Sequence, residues 1–361
     1  MHIQAFKYCS PIVFYMLAYC AFTFTGLTTW LPIFFAWVFI PFVELLIQPT
    51  HKSLSNAEAE MAKQNKVYDF MLYSLVILQY IALFYFFNQI TEAGLKWWEV
   101  TGRIFSMGLL CGTFGINVAH ELGHRVNKGE QMLAKMLLAT SLYMHFFIEH
   151  NRGHHKHVGT PNDPSSARKN EPIYRFYLRT FVFTYLSAWK ISNALCVKKG
   201  YSKLSIHNEM LRAQIWQLGL VLLVFIFFGY VTVIYFLLAA LIGATLLETV
   251  NYIEHYGLQR KLTSSGNFER VMPHHSWNSN HPIGRVMLFE LTRHSDHHFQ
   301  ASKKYQTLTH HEEAPQLPTG YPGSMLLALV PPLWFKVMNK RIPMQLQGKT
   351  TSYYEIAAAP K

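Results

Sequence analysis

Long apolar stretches separated by short polar segments dominate the first third of the chain. Four of them are close to the roughly 20 residues that a helix needs to cross a bilayer. They cover residues of about 9–28, 30–48, 67–90 and 98–118. A soluble helical protein would carry polar faces at helical spacing, and segments such as 70–87 lack them.

A fifth apolar stretch covers residues 212–250 and is too long for one crossing. Gly229 lies near its middle, which predicts two helices at 212–229 and 231–250 joined by a tight turn. The pattern therefore predicts an all-α integral membrane protein with six transmembrane helices, forming a single domain over residues 1–361.

The charges between these stretches predict the orientation of the chain. Cytoplasmic loops of membrane proteins are enriched in lysine and arginine. The loop at 49–66 carries three lysines, and residues 119–212 carry 14 Lys and Arg against 6 Asp and Glu. We therefore predict that both termini and the regions 119–211 and 251–340 are cytoplasmic, followed by a polar tail at 345–361.

Composition narrows the class of protein further. Half of the residues (51%) are apolar and only 14% are charged, against roughly 25% in ordinary soluble domains. The topology explains the net charge of +12 better than nucleic-acid binding does, because no nucleic-acid-binding motif accompanies it. The four cysteines are scattered without a CxxC pair, which excludes a disulfide framework and a built-in rubredoxin or zinc-ribbon domain.

The 19 histidines are the most unusual feature, and eight of them fall in three tight clusters. The clusters are His120 and His124; His150, His154 and His155; and His294, His297 and His298. A ninth histidine, His255, follows the sixth predicted span. Because the fourth and sixth spans both end on the cytoplasmic side, all nine can meet there. The apolar segment 132–149 is therefore predicted to lie in or dip into the interface, since a crossing would separate the second cluster from the others.

Nine imidazoles are too many for one metal ion and suit two, at four or five nitrogens each. Catalytic zinc takes three protein ligands, and imidazole suits iron, copper and zinc alike. The economical interpretation is an oxygen-activating pair of metal ions. A zinc protease using His120, Glu121 and His124 is an alternative that leaves seven histidines unexplained. A metal transporter is another, but it expects ligands near the bilayer midplane.

Short motifs around the histidines carry a family resemblance. They are HELGHR (His120–Arg125), EHNRGHH (Glu149–His155), RHSDHH (Arg293–His298) and NYIEHYG (Asn251–Gly257), together with TPNDPSSAR (Thr160–Arg168), PHHSWNSNH (Pro273–His281), LPTGYPG (Leu317–Gly323) and PPLWF (Pro331–Phe335). Over about residues 30–340 the chain resembles the integral-membrane non-haem di-iron alkane 1-monooxygenases (alkane hydroxylases). That family lies within the membrane fatty-acid desaturase and hydroxylase superfamily.

The resemblance implies a cofactor and a reaction. The family's nine iron ligands correspond to all nine histidines named above, and the match at His255 depends on the HYG motif alone. Two iron ions with O2 as co-substrate would convert n-alkanes to 1-alkanols. A xylene-type methyl group or a fatty acid is an alternative substrate, and fatty-acyl desaturation is an alternative reaction.

The resemblance also implies partners and a location. Electrons would come from rubredoxin and an NADH-dependent rubredoxin reductase, since no flavin, haem or NAD is predicted to bind this chain. The substrate would be a medium- or long-chain alkane dissolved in the membrane lipid. The protein would be a multi-pass protein of the bacterial inner membrane.

Further candidate residues surround the predicted ligands. Ionisable residues in apolar spans are usually functional, so Glu44 is predicted to bond a ligand histidine or relay protons. Acidic neighbours of the histidines are predicted to fix imidazole tautomers; they are Glu121, Glu149, Glu254 and Asp296. Three further histidines near the motifs are candidates for the same role, namely His274, His275 and His281. Aromatic residues of the second span are candidates for lining a substrate channel, namely Phe34, Phe35, Trp37 and Phe39.

Overall fold

The computed structural model describes residues 5–346, which form helices, loops and two isolated β-bridges without a β-strand. The predicted polar tail at 345–361 lies outside these residues except at its start. The longer helices are α1 (Ile12–Thr23), α2 (Gly26–Leu46), α3 (Asn56–Gln64), α4 (Lys66–Gln89), α5 (97–123), α6 (Lys128–Thr140), α7 (145–157), α8 (Ile173–Lys198) and α9 (Glu209–His255). Short helices follow, namely α10 (Pro282–Met287), α11 (His294–Phe299), α12 (Tyr321–Ala328) and α13 (Pro331–Met338). Single 3₁₀ turns cover Phe6–Cys9, Pro273–His275, Tyr305–Thr307 and Met344–Leu346.

Three of the described helices, α2, α4 and α9, are long and apolar enough to cross a membrane. Helix α9 is interrupted at Gly229, whose backbone angles (φ 82°, ψ 172°) are not helical. Glycine adopts this conformation without the steric cost that a Cβ atom imposes. The break lies where the sequence predicts a turn. The turn between α1 and α2, in contrast, lies at Phe24 and Thr25 rather than at the predicted boundary of 28–30.

Three helices contain a π-helical segment, in which the backbone hydrogen bonds skip one additional residue. The segments are Phe35–Phe39 in α2, Cys111–Ile116 in α5 and His150–His154 in α7. Such segments are rare and frequently occur at functional sites. Two of the three lie immediately before or within a histidine cluster.

Helices α5 and α9 approach each other closely because small residues line their interface. A Cβ atom added at Gly112 would lie 2.7 Å from the carbonyl oxygen of Gly243. Small residues permit such close packing between membrane helices. The packing brings the ends of α5 and α9, which carry His120 and His255, towards each other.

The region 119–211 contains helices that the apolar pattern did not predict. Helix α8 contacts both end regions of α9, where Thr180 Oγ1 donates a hydrogen bond to Glu248 Oε2 (2.7 Å) and Ser192 Oγ accepts the backbone N–H of Met210 (3.1 Å). The segment 132–149 is not one continuous helix, because the chain breaks between α6 and α7, where Leu142 has a φ of 49°. Sequence patterns missed α8 because its polar and apolar residues are mixed along the chain.

Candidate metal centre

The nine predicted histidines converge in two groups. Histidine group A contains His120, His124, His150, His155 and His297, and histidine group B contains His154, His255, His294 and His298. Within each group one nitrogen atom from every imidazole lies within 4.8 Å of the others. The second and third clusters along the sequence are therefore divided between the two groups in space, whereas the first, His120 and His124, lies entirely in group A.

Group A joins three helices. His120 and His124 come from the end of α5, one helical turn apart, so that both imidazoles lie on the same side. The Nε2 atom of His150 lies 3.1 Å from that of His124 and 3.0 Å from that of His155. His297 from α11 completes the group, with its Nε2 atom 3.1 Å from that of His155.

The π-helical segment of α7 explains why its histidines are divided. In an α-helix, residues four apart lie on the same face. Here His150 shares group A with His155, five positions later, whereas His154 points into group B. The wider turn thus allows one short helix to supply both groups.

Group B lies deeper in the protein, and all four of its histidines are buried. The Nε2 atoms of His154 and His298 are 3.3 Å apart, and those of His255 and His294 are 3.2 Å apart. His255 at the end of α9 therefore joins the histidines of α7 and α11, as the common location of the span ends predicts.

Burial keeps most of these imidazoles neutral. It lowers the pKa of His150, His155, His294, His297 and His298 well below the ordinary value, and neighbouring histidines lower it further. Neutral imidazoles are the form that binds metal ions. Two groups of neutral nitrogen donors pointing at one another fit transition-metal ions, and each group is able to hold one.

Asp163 is a functional candidate that the sequence reasoning did not identify. Its Oδ2 atom accepts a hydrogen bond from Nδ1 of His154 at 2.9 Å, and the Ser166 hydroxyl donates to the same oxygen. Burial opposes the protonation of His154, but the adjacent carboxylate raises the His154 pKa above its ordinary value. With the proton fixed on Nδ1, the unprotonated Nε2 faces group B, where its lone pair is available to bind a metal ion. Its position within the TPNDPSSAR motif, which carries the family resemblance, is the feature of the sequence that could have identified Asp163.

Glu254 is the predicted acidic neighbour that does contact a group histidine. Its Oε2 atom lies 3.1 Å from Nε2 of His294, the nitrogen that also faces His255. Its other oxygen accepts a hydrogen bond from the Tyr321 hydroxyl at 2.7 Å. The carboxylate therefore lies beside the nitrogen donors of group B.

The other predicted acidic residues bond elsewhere. Glu121 accepts from Arg125 (2.6 Å), Ser187 donates to Glu149 (3.4 Å), and Asp296 accepts from His311 (2.8 Å). Successive residues on a helix point in different directions, so a neighbour of an inward-facing histidine faces away from the group. Glu44 is buried in α2 and accepts the backbone N–H of Gly284 (2.8 Å), not an imidazole nitrogen.

The additional histidine candidates also have other partners. The Met272 N–H donates to Nδ1 of His275, and Nε2 of His275 lies 3.1 Å from Glu269. His274 packs against His275, with ring centroids 4.2 Å apart. His281 bonds the Ser279 hydroxyl at 3.0 Å. The side chains of these residues organise the loop before α10 and bond no imidazole of either group, although the backbone of His275 lies beside His255.

An apolar cavity adjoins both histidine groups. His120 and His150 of group A and His294 of group B form part of its wall. Most of the remaining wall is aliphatic or aromatic, with side chains from α1, α2, α5, α9 and α12. Trp37 lines this cavity, whereas Phe34, Phe35 and Phe39 do not; Phe34 and Phe39 are 58% and 46% exposed on the outer surface. The π-helical segment of α2, Phe35–Phe39, has Trp37 at its centre.

Comparison with known proteins agrees with this site. Residues 95–325, more than half of the chain, match the fatty acid desaturase family. An alkane 1-monooxygenase of Alcanivorax borkumensis is 38% identical over 328 residues, covering 89% of this chain and 85% of that protein. An alkane 1-monooxygenase of Acinetobacter baylyi is 36% identical over 84% of this chain and 74% of its own length. The hydroxylase component of a xylene/toluene monooxygenase of Pseudomonas putida is 30% identical, covering 67% of this chain and 64% of that protein. The chain is thus a membrane protein of the alkane 1-monooxygenase family, within the fatty acid desaturase family.

Proposed function

We propose that this protein hydroxylates the terminal methyl group of n-alkanes at a di-iron centre. The reaction consumes R–CH3, O2, two electrons and two protons and yields R–CH2OH and water. The observation that carries the proposal is the apolar cavity that reaches both histidine groups. An alkane in this cavity would have one end beside the imidazoles and the rest of its chain in apolar surroundings.

The histidines suit the chemistry that hydroxylation needs. Group A would hold one iron ion with five imidazoles, and group B would hold the other with four. Bound iron supplies the activation of O2, which the protein side chains cannot provide. The chain contributes ligand nitrogens, the Asp163 contact that orients His154, and a cavity with few polar groups.

Selection of the strong terminal C–H bond requires geometry, and a channel that admits the chain end first would supply it. A second apolar cavity shares Trp37, Leu109, Leu246 and Met325 with the first and includes the exposed residue Leu241. We therefore propose that substrate reaches the histidines from the bilayer between α2 and α9. Trp37→Ala should join the two cavities and shift the product distribution towards longer alkanols, measured by gas chromatography with mixed alkanes.

The membrane arrangement follows from the helices and their charges. We propose six spans, with α1 and α5 joining the three long apolar helices and α9 crossing twice about Gly229. The histidine groups would then form a cap on the cytoplasmic face of the bacterial inner membrane, with both termini on that side. A topology reporter fused at residue 230 and one fused at residue 264 should report opposite sides of the membrane.

The electron donor is proposed to be rubredoxin, reduced by an NADH-dependent reductase. The chain has no cysteine tetrad for an iron–sulfur centre of its own. A basic cytoplasmic surface would attract an acidic carrier. Turnover with separate rubredoxin should therefore weaken as ionic strength rises, and a flat response would count against electrostatic attraction.

The function is tested by reconstituting the purified protein in lipid with rubredoxin, reductase, NADH, O2 and a series of n-alkanes. We expect 1-alkanols from the wild-type protein, none from His120→Ala, and about two irons per chain by elemental analysis. Absence of any alkanol from iron-loaded protein would reject the assignment. One zinc per chain in place of iron would instead favour the protease alternative.

A second candidate substrate is an aromatic methyl group, which the likeness to the xylene/toluene monooxygenase component favours. Adding xylene, a fatty acid and a fatty-acyl chain to the same substrate series separates the candidates. A higher kcat/KM for xylene than for any alkane would identify an aromatic methyl group as the preferred substrate, and an alkene product would indicate desaturation.

A further inference from the structure

Helix α8 is a large element to which the proposed reaction gives no role. It has 26 residues, yet it is not among the helices apolar enough to cross a membrane. One stripe of side chains packs against the protein, and it includes Phe176, Thr180, Thr184 and Ala188. The opposite surface is left uncovered by the described part of the chain.

The contacts of α8 with α9 define its direction relative to the membrane. Thr180 bonds Glu248, and Ser192 Oγ accepts the backbone N–H of Met210 at 3.1 Å. Met210 and Glu248 are equally far along the chain from the break at Gly229, so they lie at similar depths in the two arms of α9. Helix α8 joins the two points over about three turns. It therefore runs along the membrane plane, near the ends of the arms that lead to the histidine groups.

The uncovered surface of α8 is apolar along one row. Leu178, Val182 and Leu186 follow one another at four-residue spacing and are 76%, 53% and 52% exposed. Tyr174 and Tyr185 are exposed beside this row, and tyrosine is enriched at the boundary between acyl chains and headgroups. An apolar row at this depth is suited to the acyl chains of one leaflet.

The charges on and after α8 have a single sign. Between Glu171 and Glu209 the sequence contains six Lys and Arg and no Asp or Glu. Arg179 pairs with Glu171, and the other five are exposed, namely Arg175, Lys190, Lys198, Lys199 and Lys203. Basic residues beside an apolar helical face are the pattern of helices that bind anionic membrane surfaces.

We propose that α8 is an amphipathic helix embedded in the headgroup region of the bilayer and binds anionic phospholipid. Its apolar row contacts acyl chains, and its lysine and arginine side chains bind phosphate-bearing headgroups. The helix also supports the loop that carries Asp163, because Arg179 donates to the carbonyl oxygens of Pro164 (2.7 Å) and Ser166 (3.1 Å).

Photocrosslinking in the full-length protein identifies what covers the helix. Benzoylphenylalanine is introduced at Leu178, and at the exposed residue Glu312, which contacts His310 and not α8, as a control, in nanodiscs of equal parts phosphatidylglycerol and phosphatidylcholine. We expect phospholipid adducts at Leu178 and none at Glu312, with phosphatidylglycerol adducts in excess. Dimeric protein adducts at Leu178 would overturn the proposal in favour of a second copy, and the absence of lipid adducts would reject it.

The charge requirement is tested separately. Lys190→Gln should lower the ratio of phosphatidylglycerol to phosphatidylcholine adducts at Leu178 by up to about fivefold, since each surface lysine adds to anionic-lipid binding. Lys96→Gln, an exposed lysine before α5, is the matched control and should leave the ratio unchanged. Equal ratios in the wild-type protein and Lys190→Gln would contradict binding of the anionic headgroup. Neither measurement depends on iron or on alkane turnover.

Discussion

The two histidine groups use the same side chain in different surroundings. In group B all four histidines are buried, and two carboxylates, those of Asp163 and Glu254, contact its imidazoles. In group A, His124 and His155 are partly exposed, and no carboxylate in residues 5–346 forms an ion pair with its imidazoles. A buried cation needs nearby negative charge to offset its lost hydration. We therefore expect group B to hold its metal ion more tightly than group A.

The largest effect on activity is expected from substituting two adjacent histidines, one from each group. His297→Ala removes a donor from group A and His298→Ala removes one from group B. Each variant should retain about one iron per chain and lose more than about a hundredfold in alkanol formation, because even residues behind the ligands contribute 10–100-fold. Mössbauer spectra should show that the two variants retain different irons. Loss of the same spectral component from both would contradict the division into two groups.

Replacing Asp163 tests the carboxylate that orients His154. Asp163→Asn keeps the size of the side chain but removes the charge that holds the proton on Nδ1. Iron affinity of group B should fall about 10–100-fold, as for other residues that orient metal ligands, while group A is unaffected. Timed iron removal by a chelator measures this difference. The matched control is Asp296→Asn, since Asp296 bonds His311 and Lys303 rather than a group histidine; an equal effect there would remove the special role of Asp163.

A smaller effect is expected where Glu254 and Tyr321 meet. Burial raises the pKa of Glu254 well above its ordinary value, so a cation in group B would be needed to hold this carboxyl group ionised. Glu254→Gln removes the negative charge that Glu254 would then carry beside His294, whereas Tyr321→Phe removes only the hydrogen bond to that carboxylate. We expect Glu254→Gln to weaken iron binding in group B by about tenfold and Tyr321→Phe by less, because charge contributes more than a neutral hydrogen bond. Chelator kinetics on both variants provide the comparison. The reverse order would indicate that Glu254 acts through position rather than charge.

The smallest effect is expected at Glu44. Its carboxylate accepts the Gly284 N–H, and the amide oxygen of glutamine can accept the same hydrogen bond. Glu44→Gln should therefore leave the iron content of both groups within about twofold of the wild type, because it changes no contact of a ligand histidine. A loss of iron or turnover well beyond this range would support the predicted role of Glu44 in bonding a ligand histidine or relaying protons.

Local spacing predicted some elements well and others poorly. Long uniform apolar stretches identify α2, α4 and α9, because the hydrophobic signal accumulates over about 20 residues. Helix α8 has no such signal, since only tertiary packing determines which of its faces is buried. The same limit explains why Glu121 and Asp296 were predicted to contact imidazoles. A residue next to a histidine in sequence points in a different direction from the helix, so its position does not predict contact with an imidazole.

The sequence by itself determined the nine histidines, their spacing, the apolar helices and the likeness to the alkane 1-monooxygenases. It also predicted that the histidines can meet, because the ends of the fourth and sixth predicted spans share a side. Only the tertiary structure decided which histidines belong together: His150 joins His155 and His297, while His154 joins His255. It likewise brought Asp163 to His154 and directed Glu44 to Gly284. The physical reason is that the π-helical turn and the convergence of distant helices set the direction of each side chain, which spacing along the chain does not encode.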